Sequence, residues 1–443
     1  MGKSLKKKLP GERSQLALYM SLPILSWAFY DFANTIFSSN ITTVFFPFYT
    51  NEVLGTDEVM KQVASTFISY ANAVASFFIV LFSPLFGVWI DNTGYKKRFI
   101  VWFASCSIFF TFLMGILAEI DSNIIVGGIP LSFLLVVISF VIAKFFYNSS
   151  LVFYDAMMGD LGTKKEMPLI SGFGVALGYL GTIVGLVVYL LVTDGGYHRA
   201  FIPTAILFLL FSLPLFFINK DQPVPKSERK RLGFIDGYKE IFHTFKEMQK
   251  YKAIFIFMIA YFFLNDAIAT TIAMMTVYAT AIVGFTSGEF IILYLVSTVA
   301  SIIGSFIFGY ITKAIGARKA VSIVAVIMII ALFIGVFANA KWMFWIAGSM
   351  FGVSLGSMWV TSRTLIVEMT PYDKRGQFFG LFAFSGKVSA IIGPAIYGTI
   401  TLLFKDYGSL ASRLAFSSLI VMTIIGLIVH LSARQSSNQN HSV

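Results

Sequence analysis

The sequence is short of charge. Only 12% of its 443 residues are Asp, Glu, Lys or Arg, about half the ~25% usual in a soluble domain. A soluble globule with so little polar surface could not cover itself, which excludes a soluble enzyme, a disordered regulator and a nucleic-acid binder. Cysteine is nearly absent: Cys106 stands alone in an apolar run, so no internal disulfide and no cysteine metal pattern can form. The histidines, His198, His243, His430 and His441, are scattered singly, and no metal centre is expected of them. No Gly-x-x-x-x-Gly-Lys-Ser loop occurs, so ATP is not expected as the energy source, and no cofactor is implied.

What is abundant is apolar residues: 57% of the chain is hydrophobic and 16% aromatic, with a mean hydropathy of +0.81. A helix crosses the hydrocarbon core with about 20 apolar residues. Twelve such runs are read at 22–50, 62–90, 98–118, 129–157, 168–193, 200–218, 253–283, 287–312, 318–338, 342–369, 375–404 and 409–432. They are continuous rather than alternating, which excludes a β-barrel. The basic start, residues 1–21, is read as a tail before span 1. The following apolar run is too long for a secretory signal and lacks a cleavage pattern. Gly2 is not read as a myristoylation site, because Lys6 stands where Ser or Thr is needed.

Lysine and arginine set the expected orientation. With the start of the chain inside, twenty-five fall on inner segments and five outside (Lys61, Arg199, Lys341, Lys405 and Arg413). Both ends are therefore expected in the cytoplasm. The basic balance, net +11, follows from topology rather than from a nucleic-acid partner. The polar stretch 219–252 separates a six-span half (22–218) from a second (253–433), with a short tail at 434–443. It is read as a solvated tether begun by Pro223 and Pro225, the alternative being an amphipathic surface helix after Gly233.

The two halves repeat. Gly87-Val-Trp-Ile-Asp91-Asn-Thr-Gly94-Tyr-Lys96-Lys97-Arg98 lies between spans 2 and 3. Gly309-Tyr-Ile-Thr-Lys313-Ala-Ile-Gly316-Ala-Arg318-Lys319 lies at the same place in the second half. Spans 1 and 7 match too, Asp31-x-x-x-Thr35 against Asp266-x-x-x-Thr270. Parallel six-span halves are a transporter architecture, with the substrate site between them. In the first loop Gly87 permits close helix approach and Gly94 a sharp reversal. Asp91 can accept from a helix N-terminus or pair with a cation. Lys96, Lys97 and Arg98 hold the turn at an anionic leaflet. The loop is read as a gate, with Arg375 beside it; the alternative is a topological anchor.

The Gly87…Asp91…Gly94-x-Lys96-Lys97-Arg98 loop resembles the signature loop of the major facilitator superfamily. Further segments resemble its autophagy-related vacuolar effluxer branch and prokaryotic relatives. They are Trp27-Ala-Phe-Tyr30-Asp31-Phe-Ala33-Asn34, Ser171-Gly172-Phe-Gly174-Val-Ala176-Leu-Gly178-Tyr179-Leu-Gly181, Gly356-Ser357…Ser362-Arg363, Pro371-x-x-x-Arg375-Gly376-x-Phe378-Phe379-Gly380 and Gly386-Lys387-x-Ser389-Ala390-Ile391-x-Gly393-Pro394. The likeness covers nearly the whole chain. It implies an all-α membrane protein of twelve transmembrane helices in two pseudo-symmetric halves, working by alternating access as a monomer, with amino-acid export as the branch's activity. The large inserts of the eukaryotic members are not found, which implies the plasma membrane of a prokaryote.

Asp31, Lys144, Asp266, Arg363 and Lys387 lie inside spans. Each charge at the centre of a lone helix costs about 3 kcal/mol. Five would cost roughly 15 kcal/mol, comparable with a protein's whole stability of about 5–15 kcal/mol. They must face water, one another or a ligand. The resemblance implies that spans 1, 4, 7 and 10 line the cavity, and four of the five fall one on each. Span 1 carries a polar stripe of Asp31, Asn34, Thr35, Ser38 and Thr42. Span 4 carries Lys144, Tyr147, Asn148, Leu151 and Asp155 on one face. Span 7 offers Asp266 and Thr270. Span 10 offers Ser354, Ser357 and Thr361, with Arg363 near Trp359 on another face. Such a cavity suits a zwitterion: Lys387 or Arg363 for a carboxylate, Asp31 or Asp266 for an ammonium group or a coupling proton. The alternative is fixed pairing, Asp31 with Lys387 or Lys144 with Asp266. Asp155 and Glu368 are placed near the inner helix ends, pairing with Arg375 or Lys97.

Gly352-Val-Ser354-Leu-Gly356 fits a nucleophile elbow, but it lies in an apolar helix and reads as helix packing. No nucleophile–base pair exists, so an enzyme is not expected. The reading is a secondary transporter of a small polar or zwitterionic metabolite, amino acids first, in a lipid bilayer, with protons as a possible coupling partner. The rivals are a cation-coupled importer of sugars or other solutes, with Trp27, Trp359 and Tyr147 for stacking, and a non-transporting receptor.

Overall fold

The computed structural model describes residues 15–54, 58–120, 124–192, 196–225, 227, 229, 236–239, 251–285, 287–404, 407 and 409–439. The start of the tail at 1–21, most of the 219–252 segment with its alternative helix, and the last residues of 434–443 lie outside the described residues. Among the described residues, eleven helices are each long and apolar enough to cross a membrane. They are α2 (Glu58–Thr93), α3 (Lys97–Ala118), α4 (Leu131–Met158), α5 (Met167–Leu186), α6 (Phe201–Ile218), α7 (Lys252–Val283), α8 (Ser287–Ile315), α9 (Ala317–Val336), α10 (Lys341–Met369), α11 (Arg375–Leu403) and α12 (Ser409–Gln439).

The expected first span differs in form. Its α-helix, α1 (Leu22–Phe37), is only 16 residues long and runs on through a π-helical segment (Ser38–Phe45) into a further turn of α-helix (Phe46–Leu54). Pro47 explains the change, since its ring opposes the carbonyl one turn back and widening the helix relieves the clash. Phe46 N–H accordingly reaches Ile41 O, five residues back. Asn40 pins the segment by donating to Gly185 O at 2.8 Å and Thr204 Oγ1 at 3.1 Å.

Within each group of six the same neighbours recur. α1 packs on α5 and α6 as α7 packs on α11 and α12; α3 lies against α4 and α6 as α9 lies against α10 and α12. The groups meet along two seams, α2 with α11 and α5 with α8. Gly94 (φ 70°) and Gly316 (φ 86°) turn the chain at matching places before α3 and α9. Between α3 and α4 a hairpin of β1 (Ile125–Val126) and β2 (Ile129–Pro130) turns through Gly127 and Gly128, both at positive φ.

Without water to serve them, hydroxyls inside the helices bond to their own backbone. Thr111, Ser149 and Thr298 each donate to the carbonyl four residues earlier. Large apolar side chains are exposed around the outside, Trp102, Phe109 and Ile138 among them, as lipid contact requires.

Candidate functional site

Between the groups of helices lies a cavity of about 380 Å3, lined from α1, α2, α4, α5, α7, α10 and α11. All of the span 1 stripe faces it, Asp31, Asn34, Thr35, Ser38 and Thr42, and so do Lys144, Tyr147, Asn148, Leu151 and Asp155 of α4. Among the cavity-lining residues of span 1, Asp31 and Asn34 are buried, and Thr35, Ser38 and Thr42, toward the end away from the basic loops, are half-buried. The mouth therefore lies away from the end that carries the basic loops.

Arg363 forms the floor. Its Nε is 3.0 Å from Asp155 Oδ1 and its Nη1 3.7 Å from Asp31 Oδ2. Its guanidinium carbon lies 5.7 Å from the Tyr154 ring centre and 5.6 Å from that of Trp359. A planar cation suits two carboxylates and two ring faces at once. Tyr154 stacks on Trp27 at 4.6 Å and 7°, and Trp27 Nε1 donates to Tyr154 O at 3.1 Å. Gly174 of α5 leaves the room that the Trp27 ring occupies.

Higher in the cavity stand Lys144 and Lys387. Lys144 donates to the Asn72 amide oxygen of α2. Neither lysine makes an ion pair among the described residues, although Lys387 feels the field of Asp155. The buried side-chain amides of Asn34 and Asn148 have no hydrogen-bond partner among the described residues. Buried amides are almost always bonded, so this pair stands out within the cavity.

Three expectations change. Asp266 does not line the cavity; it is buried against the α11 backbone at Gly393. The α7 face that does reach the cavity is Tyr261, Asn265, Ile268, Ala269 and Ile272, one residue out of register with the acid. On α10 the cavity face is Trp359 and Arg363, while the Ser354 and Thr361 hydroxyls bond to their own helix. Asp155 is at the floor with Arg363, not at the gate, and neither Asp31–Lys387 nor Lys144–Asp266 pairs. Arg375 Nη1 donates instead to Gly159 O at 2.7 Å, and Lys164 Nζ reaches the Glu368 carbonyl at 3.0 Å.

The 2–3 loop closes the basic end. Asp91 accepts the N–H groups of Gly376 at 2.6 Å and Gln377 at 2.8 Å, at the N-terminus of α11, where a negative charge is favoured. A methyl group on Gly87 would stand 2.5 Å from Gly376 O, so the helices touch backbone to backbone. Lys96 Nζ meets Asp160 at 2.5 Å. The backbone N–H groups of Lys96, Lys97 and Arg98 donate to Asp221 at 2.7, 2.6 and 3.2 Å. Arg98 itself is exposed beside the Tyr95 ring. A larger crevice of about 690 Å3, walled by rings of α2, α3 and α4, opens sideways with Arg98 as its one charged residue. It holds none of the cavity's polar groups.

The chain matches, over residues 22–441, the family described as vacuole effluxer Atg22 like. The chain belongs to that family. It is 27% identical to the uncharacterized MFS-type transporter YxiO of Bacillus subtilis, over 91% of this chain and 93% of that one. It is 24% identical to autophagy-related protein 22 of Kluyveromyces lactis, over 70% and 68%. Its fold matches a bacterial homologue of the iron transporter ferroportin in its outward-facing state, with a TM-score of 0.71 at 12% identity, covering 94% of this chain and 99% of that one. This Atg22-like chain is thus a multi-pass membrane protein with the major facilitator fold, a secondary transporter and not an enzyme.

For an Atg22-like transporter the chemistry of the cavity is recognition. Its formal charges are two carboxylates, one guanidinium and two ammonium groups. Both acids face Arg363, and the lysines, the amides of Asn34 and Asn148 and the Tyr147 ring line the same cavity. No group of His, Cys, Asp and Glu that could hold a metal occurs among the described residues.

Proposed function

We propose that this chain carries a small metabolite with a carboxylate group, free amino acids first, by alternating access, and that it works as an exporter in a prokaryotic plasma membrane. One observation carries the substrate class: Lys144 and Lys387 line the cavity without an ion-pair partner among the described residues, while Asp31 and Asp155 share Arg363. Two lysines without an ion-pair partner among the described residues, beside buried amides, suit an anionic group such as a carboxylate. An amino acid's ammonium group would lie towards Asp31, whose hold on Arg363 is loose at 3.7 Å, and the aromatic faces of Tyr147 and Trp359.

The basic end is taken as cytoplasmic by the lysine and arginine bias, so the geometry is that of an outward-open carrier. To open inward, the Asp91 bonds to α11 and the Arg375 bond to Gly159 must part. Export rests on the vacuolar effluxer relatives. A single chain supplies every wall of the cavity, which supports action as a monomer.

The test is counterflow of labelled amino acids into proteoliposomes of the purified protein, beside Lys387→Ala and Lys144→Ala. Saturable counterflow in the wild type, weakened at least about tenfold in each variant, as loss of a charged hydrogen bond implies, is expected. Wild-type counterflow that both variants keep would sink the carboxylate site.

A further inference from the structure

The structure contains the same niche twice. On α1, Asp31 and Thr35 face Gly178 of α5, where an added methyl group would lie 3.2 Å from Asp31 Oδ2 and from Thr35 Oγ1. On α7, Asp266 and Thr270 face Gly393 of α11, where a methyl group would lie 2.6 and 2.7 Å from the Asp266 oxygens and closer still to Thr270 Oγ1. The niches occupy matching places in the two groups of helices. Their charge differs. Arg363 reaches the first. In the second, neither carboxylate oxygen of Asp266 nor the Thr270 hydroxyl has a side-chain partner among the described residues.

Asp266 is 1% exposed. With the Gly393 backbone beside it and no cation paired to it among the described residues, this carboxylate is costly to ionise. Among the described side chains, the charged and titratable groups on the helices packed against α7 are engaged elsewhere or lie off this niche. On α10, Arg363 holds Asp31 and Asp155, Lys341 holds Glu289, and Glu368 is near Lys164. On α11, Arg375 bonds Gly159, Lys387 faces the cavity, and Tyr397 lies near Tyr278 of α7. On α12, Arg413 bonds the carbonyls of Val336 and Ala338, and His430 bonds that of Arg318. On α7 itself, Tyr261 bonds Asn265.

Beside the niche, Pro394 sits inside α11. Having no N–H, it leaves the carbonyl of Ala390, four residues back, without a helical donor, and Ala390 lines the cavity. Carboxylate, hydroxyl and a released carbonyl are hard oxygen donors, the kind that hold small cations.

We propose that Asp266, Thr270 and the α11 backbone around Gly393–Pro394 form a coupling-ion site, bordering the substrate cavity at Ala390, that takes one small monovalent cation, a proton or Na+. Both would supply the single positive charge that Arg363 supplies in the other niche. That the cation drives substrate rests on the proposed carboxylate carrier; that it binds does not.

Two measurements on Asp266→Asn, with Thr270→Val as a second variant, test the site. The first is uptake by proteoliposomes under a proton gradient alone and under a sodium gradient alone, beside counterflow without either. Counterflow is expected within about twofold of wild type, because Asp266 is outside the cavity. Accumulation driven by one gradient is expected to fall about tenfold in Asp266→Asn, within the range of site-to-site coupling, and the gradient that loses its effect names the cation. Wild-type-like accumulation in Asp266→Asn under both gradients would overturn the coupling role. The second is thermal unfolding of the purified protein across pH and across sodium concentration at constant ionic strength. The wild type should be stabilised by the cation and Asp266→Asn should lose that response. An identical response in both proteins would overturn the site. If the wild type shows no counterflow of any carboxylate while the stability response stands, the substrate reading fails and the cation site does not.

Discussion

Replacing Gly376 by alanine puts a methyl group into the seam between α2 and α11. That methyl group would stand 2.6 Å from Gly87 O, 2.6 Å from Ile90 Cβ and 2.7 Å from Asp91 Oδ1. Ordinary contacts begin near 3.4 Å, so the shortfall is about 0.8 Å, and backbone and β-branched neighbours cannot swing aside. Overpacking of this kind costs about 1–3 kcal/mol. Because the seam joins the two groups of helices, it exists in full only while the basic end is closed. The cost therefore falls on that state and shifts the balance between states by about 5–150-fold. From an even mixture even the low figure leaves about one molecule in six closed at the basic end. The assay is labelling of a cavity cysteine, Ser38→Cys, by an impermeant maleimide from the mouth side, with Cys106 replaced by Ser. The labelling rate is expected to drop at least threefold. Unchanged labelling would refute the reasoning that this seam holds the mouth-open state.

Arg363→Met leaves Asp31 and Asp155 buried without their cation and is expected to destabilise by about 3–5 kcal/mol; adding Asp155→Asn should recover part of the loss in thermal unfolding. Stability equal to wild type in the single variant would mean that the floor is not held by ion pairing. Trp27→Ala removes the ring stacked on Tyr154 and empties the space beside Gly174, with an expected cost of about 3–5 kcal/mol; a loss under about 1 kcal/mol in denaturant titration would show that the stack carries little.

Helix number, the repeat and the polar faces of α1 and α4 were legible because they are periodic over many residues. Asp31, Asn34, Ser38 and Thr42 at steps of three and four share a face, as do Lys144, Tyr147, Asn148, Leu151 and Asp155 on α4. The Asp91 contact was legible in kind, since an acid after a glycine-rich helix end seeks backbone donors, but its partner on α11 was not. The errors came where charge outweighed periodicity. Asp266 drew the reading of α7, although the stripe Tyr261, Asn265, Ile268 and Ile272 marked the cavity face one residue away. On α10 three hydroxyls suggested a polar face, yet those of Ser354 and Thr361 bond to their own backbone and none of the three lines the cavity. The long arm of Arg363 then reached two acids across the cavity. Asp155 was misplaced for a related reason: its nearness to the end of α4 said nothing of how deep the floor lies. The π-helical segment was hidden as well, because Pro47 signals disruption without stating its form.

The central claim is that Lys144 and Lys387 hold a carboxylate. The most direct test is inhibition of counterflow by three matched analogues of the best substrate: the free acid, its amide and the amine lacking the carboxylate. The account predicts inhibition by the acid, and constants weaker by about 10–150-fold for amide and amine, as loss of a charged hydrogen bond implies. Equal inhibition by all three would contradict it.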